Sequence, residues 1–367
     1  MCNKAVIRAT AEALFAAFQV AGAQTIDADI MLPAESLLDL YGEDIRARAY
    51  VTNDPVLGEM MLRPDFTVPV VQAHMKQGAR DARYTYMGEV FRKQGHIADR
   101  AREYLQVGYE VFGGAEPHQA DAEVFALFSR LLAPLNLNAT IGDIGILISA
   151  VQGLNTSNWR KAALMRHLWR PARFRDLLDQ FSGRSPLSPS RQDLLQRLAQ
   201  NDVQELIKQA GPDIGLRSAQ DVAARAQSLQ EDAELPPIGQ AEAQMLEALL
   251  TLQGPAGQML AHLQKMAQQF PAIAASVASF GARLSAMKVQ GIDSDHLSFV
   301  VSHGRSTLEY YDGFVFSFDR PDQRFPAVAS GGRYDALTLV LGQGRSIRAV
   351  GGVIRPAEMA ALLEVGS

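Results

Sequence analysis

The sequence predicts an α+β fold, an antiparallel sheet core flanked by helices, and three observations predict it. Segments rich in Tyr, Val and Phe with strand character occupy both ends of the chain. A long stretch with helical periodicity separates them, and strands do not alternate one for one with helices as βαβ units require. A Rossmann domain does not fit this order. The nearest approach to a dinucleotide fingerprint, Gly342 and Gly344, has Ile347 where a third glycine belongs and follows a helical pattern instead of a strand. No Walker sequence and no GxSxG elbow occurs.

The elements follow in chain order. Ile7, Ala11, Leu14, Phe15 and Phe18 fall at helical spacing, with Gly22 placed to close the helix. Residues 30–75 are broken by Pro33, Gly42, Pro55, Gly58 and Pro64 into short strands and turns, before a run from Val68 to Met75 that opens as a helix at Thr67. Tyr84 to Arg92 and Tyr104 to Phe112 read as an antiparallel pair joined by a charged loop too long for a tight turn. Helical spacing returns over 117–135 through Val124, Phe125, Phe128 and Leu131, and a strand follows from Asn138 to Gly142. Between Trp159 and Leu284 the composition shifts to Ala, Leu, Gln and Arg with apolar residues at threes and fours, which marks a helical insert. Strands resume at Ser298 to Ser302, Thr307 to Phe318, Ala327 to Ser330 and Arg348 to Ile354. The expected division is 1–150 as the first part of the core, 151–290 as the insert and 291–367 as the second part.

With 367 residues, 47% hydrophobic and 20% charged, the chain has ample apolar material for a core, so disordered and collagen-like classes are excluded. The 35 basic and 40 acidic residues leave a net charge of −5, which gives no global reason to expect nucleic acid or an anionic membrane as partner. One cysteine, Cys2, forms no internal disulfide, and the seven histidines show no metal-ligand spacing, so no metal and no cofactor are expected. No apolar run approaches the roughly 18 residues of a bilayer span, and Arg8 and Glu12 interrupt any secretory signal, which points to the cytoplasm.

Four segments carry unusual polar content: LRPDFT (Leu62 to Thr67), Gly88 to Glu110, Ser306 to Phe316 and SGGRYD (Ser330 to Asp335). On the strand ending at Phe112, Gln106, Gly108 and Glu110 share one face, and glycine between two polar groups leaves room for a ligand. A carboxylate there can hold an ammonium or an imidazole N–H, and an amide beside it can fix orientation, as a small zwitterion requires. The same alternation fits a solvated sheet face. Arg92 can grip a carboxylate or phosphate, and Arg100 and Arg102 suit an ordinary surface loop equally well. Tyr310 and Tyr311, between Glu309 and Asp312, fit a polar pocket or cross-strand packing, and the glycines of SGGRYD permit close backbone approach to a ligand or a tight turn.

Together these segments resemble the catalytic core of class II aminoacyl-tRNA synthetases, specifically histidyl-tRNA synthetase. LRPDFT is similar to that family's LRPEGT, Phe91-Arg92 to the end of its motif 2 strand, QVGYEVFG (Gln106 to Gly113) to QFGVEVFG, and GGRYDAL (Gly331 to Leu337) to GGRYDGL. Thirteen residues separate Arg92 from Gln106, as in the synthetase pattern. The resemblance covers residues 1–145 and 295–360. It implies a histidine pocket with Asp65 and Thr67 at the α-ammonium, Arg92 on the carboxylate side, and Gln106, Glu110, Tyr310 and Tyr311 around the imidazole.

The departures cluster on ATP activation. The arginine of the family's RGLDYY corresponds to Ser306 of STLEYY, and Arg305, one residue away, faces the opposite side of a strand. Gln94 stands for the adenine-facing glutamate. In AVGGVIRPAEM (Ala349 to Met359) Glu358 replaces the motif 3 arginine that contacts triphosphate. At about 4 Å and an effective dielectric near 20, each such charge pair is worth roughly 4 kcal/mol, so reversing its sign cripples nucleotide binding. No anticodon-binding domain is expected after Pro356, and hence no tRNA partner. A retained histidine pocket with dismantled activation chemistry resembles the regulatory subunit family of ATP phosphoribosyltransferase. That resemblance implies no catalysis of its own, a short-form catalytic phosphoribosyltransferase subunit as partner, histidine as feedback effector, and a homodimer built through Pro33 to Tyr41 within a hetero-oligomer. Two other readings compete: a diverged, ATP-dependent histidine-activating enzyme, which Ser306 and Glu358 oppose, and a stand-alone amino-acid sensor with a different partner.

Overall fold

The computed structural model describes residues 3–366 apart from 79, 95–99, 115, 212–217, 305–309 and 323–324, and only the backbone of 36, 39–44 and 365–366. Cys2, Arg305, Ser306 and Glu309 lie outside the described residues. The chain divides into two compact units, Met1–Ile146 with Leu252–Ser367, and Leu147–Thr251.

The first unit contains twelve strands among its described residues: β1 (Gln24–Thr25), β2 (Met31–Pro33), β3 (Val51–Asp54), β4 (Gly58–Leu62), β5 (Ala82–Phe91), β6 (Glu103–Phe112), β7 (Asn138–Asp143), β8 (Gln253–Pro255), β9 (Ser298–Val300), β10 (Phe314–Asp319), β11 (Ala329–Arg333) and β12 (Ala349–Ile354). Nine of them form one sheet in the order β1-β5-β6-β12-β11-β10-β7-β9-β8, and β2-β4-β3 form a second. The six central strands are antiparallel throughout, as expected, but the short outer strands β1, at one edge, and β9, next to the other edge, add parallel pairings to β5 and β7, so the sheet is mixed.

The first helix, Lys4–Val20, is capped by Asn3 Oδ1 accepting from the Ala5 N–H at 2.9 Å. It buries Ala11, Leu14 and Phe18, and Gly22 follows it at φ +91°, a conformation that favours glycine. Phe314, Phe316 and Phe318 alternate along β10 onto the face that meets Phe125 of helix Pro117–Leu132, with ring centroids 5.3–6.3 Å away. This aromatic layer is the centre of the first unit's core.

Several elements depart from expectation. Residues 34–41 form a helix within the segment read as strands and turns, and β10 begins at Phe314 after a turn at Tyr310 and a bend at Gly313; the start expected at Thr307 lies outside the described residues. The helical composition expected to form the insert to residue 290 includes Ala274–Val289, which belongs to the first unit. Its buried Arg283 donates to Asp121 Oδ2 at 2.7 Å and Asp143 Oδ2 at 2.6 Å. The second unit is helical, and Ser157, Ser188, Asp202 and Ser218 each cap a helix by accepting a backbone N–H. It encloses Phe174, Leu177, Leu178, Phe181 and Leu246.

Candidate functional site

The β5–β6 pairing sets Gly88 opposite Gln106, Tyr86 opposite Gly108 and Tyr84 opposite Glu110. On the other side of β6, β12 sets Gly351 opposite Glu110. Glu110 therefore rises from the middle of the sheet, where a Cβ on Gly351 would stand 1.5 Å from its Oε2, so glycine is required there. Its two carboxylate oxygens accept from Tyr86 OH at 2.8 Å and Tyr334 OH at 2.7 Å. Burial pushes its pKa up to about 8 against the pull of those two hydroxyls.

All seven residues singled out in the sequence line one recess: Asp65, Thr67, Arg92, Gln106, Glu110, Tyr310 and Tyr311. They come from the LRPDFT turn, the end of β5, β6 and the bend before β10. Asp65 precedes the helix Thr67–Lys76, whose first N–H groups, from Thr67 and Val68, point to its carboxylate. Burial raises its pKa, while Arg92, with Nη2 3.9 Å from Asp65 Oδ2, lowers it. Arg92 Nε donates to the Pro64 carbonyl at 2.6 Å, and Thr67 Oγ1 and Tyr310 OH share a hydrogen bond at 3.2 Å. Asp65 Oδ1 and Gln106 Oε1 are buried without a hydrogen-bond partner among the described residues. Two unmatched acceptors in one recess call for a ligand that donates.

The sequence missed Tyr334, Gly351, Gly352, Val353 and Arg355, which also line the recess. Tyr334 sits inside the quoted SGGRYD motif; Arg355 stands alone before Pro356, where nothing local marks it. Two readings are corrected. Gly108 does not leave open room: a Cβ there would meet the Tyr86 ring at 2.1 Å, so the notch is filled by the ring that carries a hydroxyl to Glu110. Phe66, stacked on Tyr86 at 4.3 Å and on its other side covered by Arg63 at 4.0 Å, props that ring. The SGGRYD glycines form neither a turn nor a ligand approach, since they lie within β11 against the rings of Phe316 and Tyr311. Asp312 is outside the recess, accepting the N–H groups of Asp335 and Ala336 at 3.2 and 2.5 Å.

Of the activation positions, Gln94 donates its amide to the Ala101 carbonyl at 3.2 Å. Glu358 is held by Arg320, whose Nη2 donates to Oε2 at 2.7 Å, so its carboxylate already has a counter-charge. The last helix opens on Pro356, where no N–H is needed. Among the described residues no helix is long and apolar enough to cross a membrane.

The histidyl-tRNA synthetase family model matches residues 3–235 and 215–359. The fold is similar to the Bacillus halodurans ATP phosphoribosyltransferase regulatory subunit/histidyl-tRNA synthetase structure, with TM-score 0.67 and 18% identity, covering 98% of this chain and 79% of that one. It is also similar to the histidyl-tRNA synthetase of Nostoc sp. PCC 7120, with TM-score 0.63 and 17% identity over 100% and 73% of the chains. An ATP phosphoribosyltransferase regulatory subunit of Rhizobium johnstonii is 30% identical over 355 residues, 92% of this chain and 93% of that protein. The one from Brucella anthropi is 30% identical over 90% of each. With that identity sustained along nearly the whole chain, on the fold of the histidyl-tRNA synthetases, the protein belongs to the ATP phosphoribosyltransferase regulatory subunit family.

Proposed function

We propose that this chain is a non-catalytic subunit that activates a short-form ATP phosphoribosyltransferase in the first step of histidine biosynthesis, and that its recess takes histidine as feedback effector. Asp65 and Thr67 meet the α-ammonium, Arg92 serves the carboxylate side, and Gln106, Glu110, Tyr310 and Tyr311 surround the imidazole. The observation that carries this reading is the pair of unpartnered acceptors, Asp65 Oδ1 and Gln106 Oε1, inside a recess whose other carboxylate, Glu110, is fixed by two tyrosines. A ligand with an ammonium and a ring N–H matches those acceptors.

Regulation then follows from linkage. If histidine binds one state of the complex better than another, it shifts the population by that difference in affinity, and the catalytic chain reads the shift. The working unit is a homodimer within a hetero-oligomer in the cytoplasm, with no tRNA, metal or cofactor. The Arg320–Glu358 pair supports the absence of adenylate chemistry, because it places a neutralised ion pair at the motif position expected to meet triphosphate.

The test is phosphoribosyl transfer by the short catalytic chain with and without this protein, repeated with histidine. Stimulation that histidine reverses is expected. No stimulation favours a sensor with another partner, and robust pyrophosphate exchange with histidine and Mg-ATP would establish an activating enzyme instead.

A further inference from the structure

Arg355 is a recess cation whose hydrogen-bond partners are all uncharged. It directly follows β12, with Pro356 beginning the last helix behind it. Its Nη1 donates to the Ala327 carbonyl at 2.8 Å and its Nη2 to Ser330 Oγ at 3.0 Å, both uncharged partners. Among the described residues no carboxylate stands within 4.0 Å of it. Loss of hydration is the largest influence on its pKa and lowers it, with the Arg92 charge acting in the same direction, yet a guanidinium stays protonated. Glu358, the acid whose field reaches it, is bonded to Arg320.

Among the other arginines withdrawn from water in this unit, Arg63 also donates to carbonyls, those of Ala28 and Glu89, but it lies outside the recess and covers the Phe66 ring, while the others have carboxylates at hand. Arg283 is held by Asp121 and Asp143, and Arg333 by Asp121 and Asp335. Arg92 is oriented by the Pro64 carbonyl and faces Asp65. Among the described residues Arg355 lines the recess with hydrogen bonds to neutral groups and no carboxylate within 4.0 Å, which leaves its charge available to an anion that arrives from outside. The recess already offers acceptors for an ammonium at Asp65 and for a ring N–H at Gln106 and Glu110.

We infer that Arg355 is a specificity residue that receives the free α-carboxylate of the bound amino acid together with Arg92, so that the recess selects the amino acid over its esters, amides and carboxyl-linked adducts. The inference rests on the reading of the recess as a histidine site and adds to it a second cation at the acid end, beside Arg92. A planar guanidinium suits a carboxylate, and the pair is a charge-assisted hydrogen bond in a water-poor site.

Titration calorimetry on the full chain, alone and with the catalytic chain, tests it with three ligands: histidine, histidine methyl ester and histidinamide. The last two keep the ammonium and the imidazole but lose the negative charge. Wild type is expected to bind histidine at least about tenfold tighter than either. Arg355→Gln is expected to weaken histidine by about 10- to 100-fold while leaving the ester and amide within about twofold, so the preference narrows by that factor with Arg92 still in place. Arg355→Lys, which keeps the charge but not the planar fork, is expected to fall between them and serves if the glutamine variant unfolds. The ratio of histidine to ester is internal to each variant, so a purely structural role for Arg355 lowers both ligands together and leaves the ratio unchanged. An unchanged ratio, or a wild type that binds the ester as tightly as histidine, overturns the assignment of Arg355. Failure of wild type to bind histidine in either setting overturns the histidine reading itself.

Discussion

Glu110 is buried to 1% exposure between two tyrosine hydroxyls, and its behaviour with pH follows from that placement. In the unfolded chain it titrates near its ordinary 4.5, and in the folded protein near 8, so between those values the folded state holds more protons. Its contribution to stability is therefore fully present below about pH 4.5 and is lost as pH rises through about 8. Glu110→Gln removes that dependence. Thermal melts of wild type and variant near pH 5 and near pH 8 should show the variant gaining relative stability at the higher pH, and parallel curves would contradict the shift. The Gln106–Gly108–Glu110 face was legible because a strand has period two. The filling of Gly108 by Tyr86 was not, since it depends on which residue of β5 pairs there. Arg355 was illegible for a related reason: its relevance comes from β12 lying beside β6.

At the scale of elements, Asp121 joins Arg283 and Arg333, and through them helix Pro117–Leu132 is tied to helix Ala274–Val289, β7 and β11. Replacing Arg283 by Met leaves Asp121 and Asp143 buried and deprived of a shared cation, which should cost about 3–5 kcal/mol in urea unfolding. A loss under about 1 kcal/mol would show that the network relaxes around the change. This network also explains why the end of the insert was misplaced. Residues 256–289 have the same Ala, Leu and Gln character as the second unit, and distant partners, the carboxylates that receive Arg283 and the Phe299 ring stacked on Phe280 at 4.3 Å, assign helix Ala274–Val289 to the core. The β5–β6 hairpin, by contrast, was read to within two residues at either end, because its Tyr and Val content and its charged loop are local signals. The helix at 34–41 was hidden by Pro33 and Gly42, which punctuate its two ends and were read as marks of turns.

For the whole molecule, the homodimer proposed through Pro33 to Tyr41 predicts sedimentation at twice the chain's 40.0 kDa at micromolar concentration without the catalytic chain. A monomer there would remove the dimer from the scheme. Sequence-level motifs sufficed to assemble all seven expected lining residues into one recess, since each motif is short and distinctive. They did not reveal that Glu358 meets Arg320, a pairing between β10's end and the last helix. The register of β6 against β12 carries a last implication. Glu110 reaches its place only when Gly351 lies across from it, and that glycine is synthesised long after Glu110 itself. A growing chain on the ribosome has no completed recess until β12 has emerged and slotted between β6 and β11, so a fragment halted before β12 should fail to bind histidine.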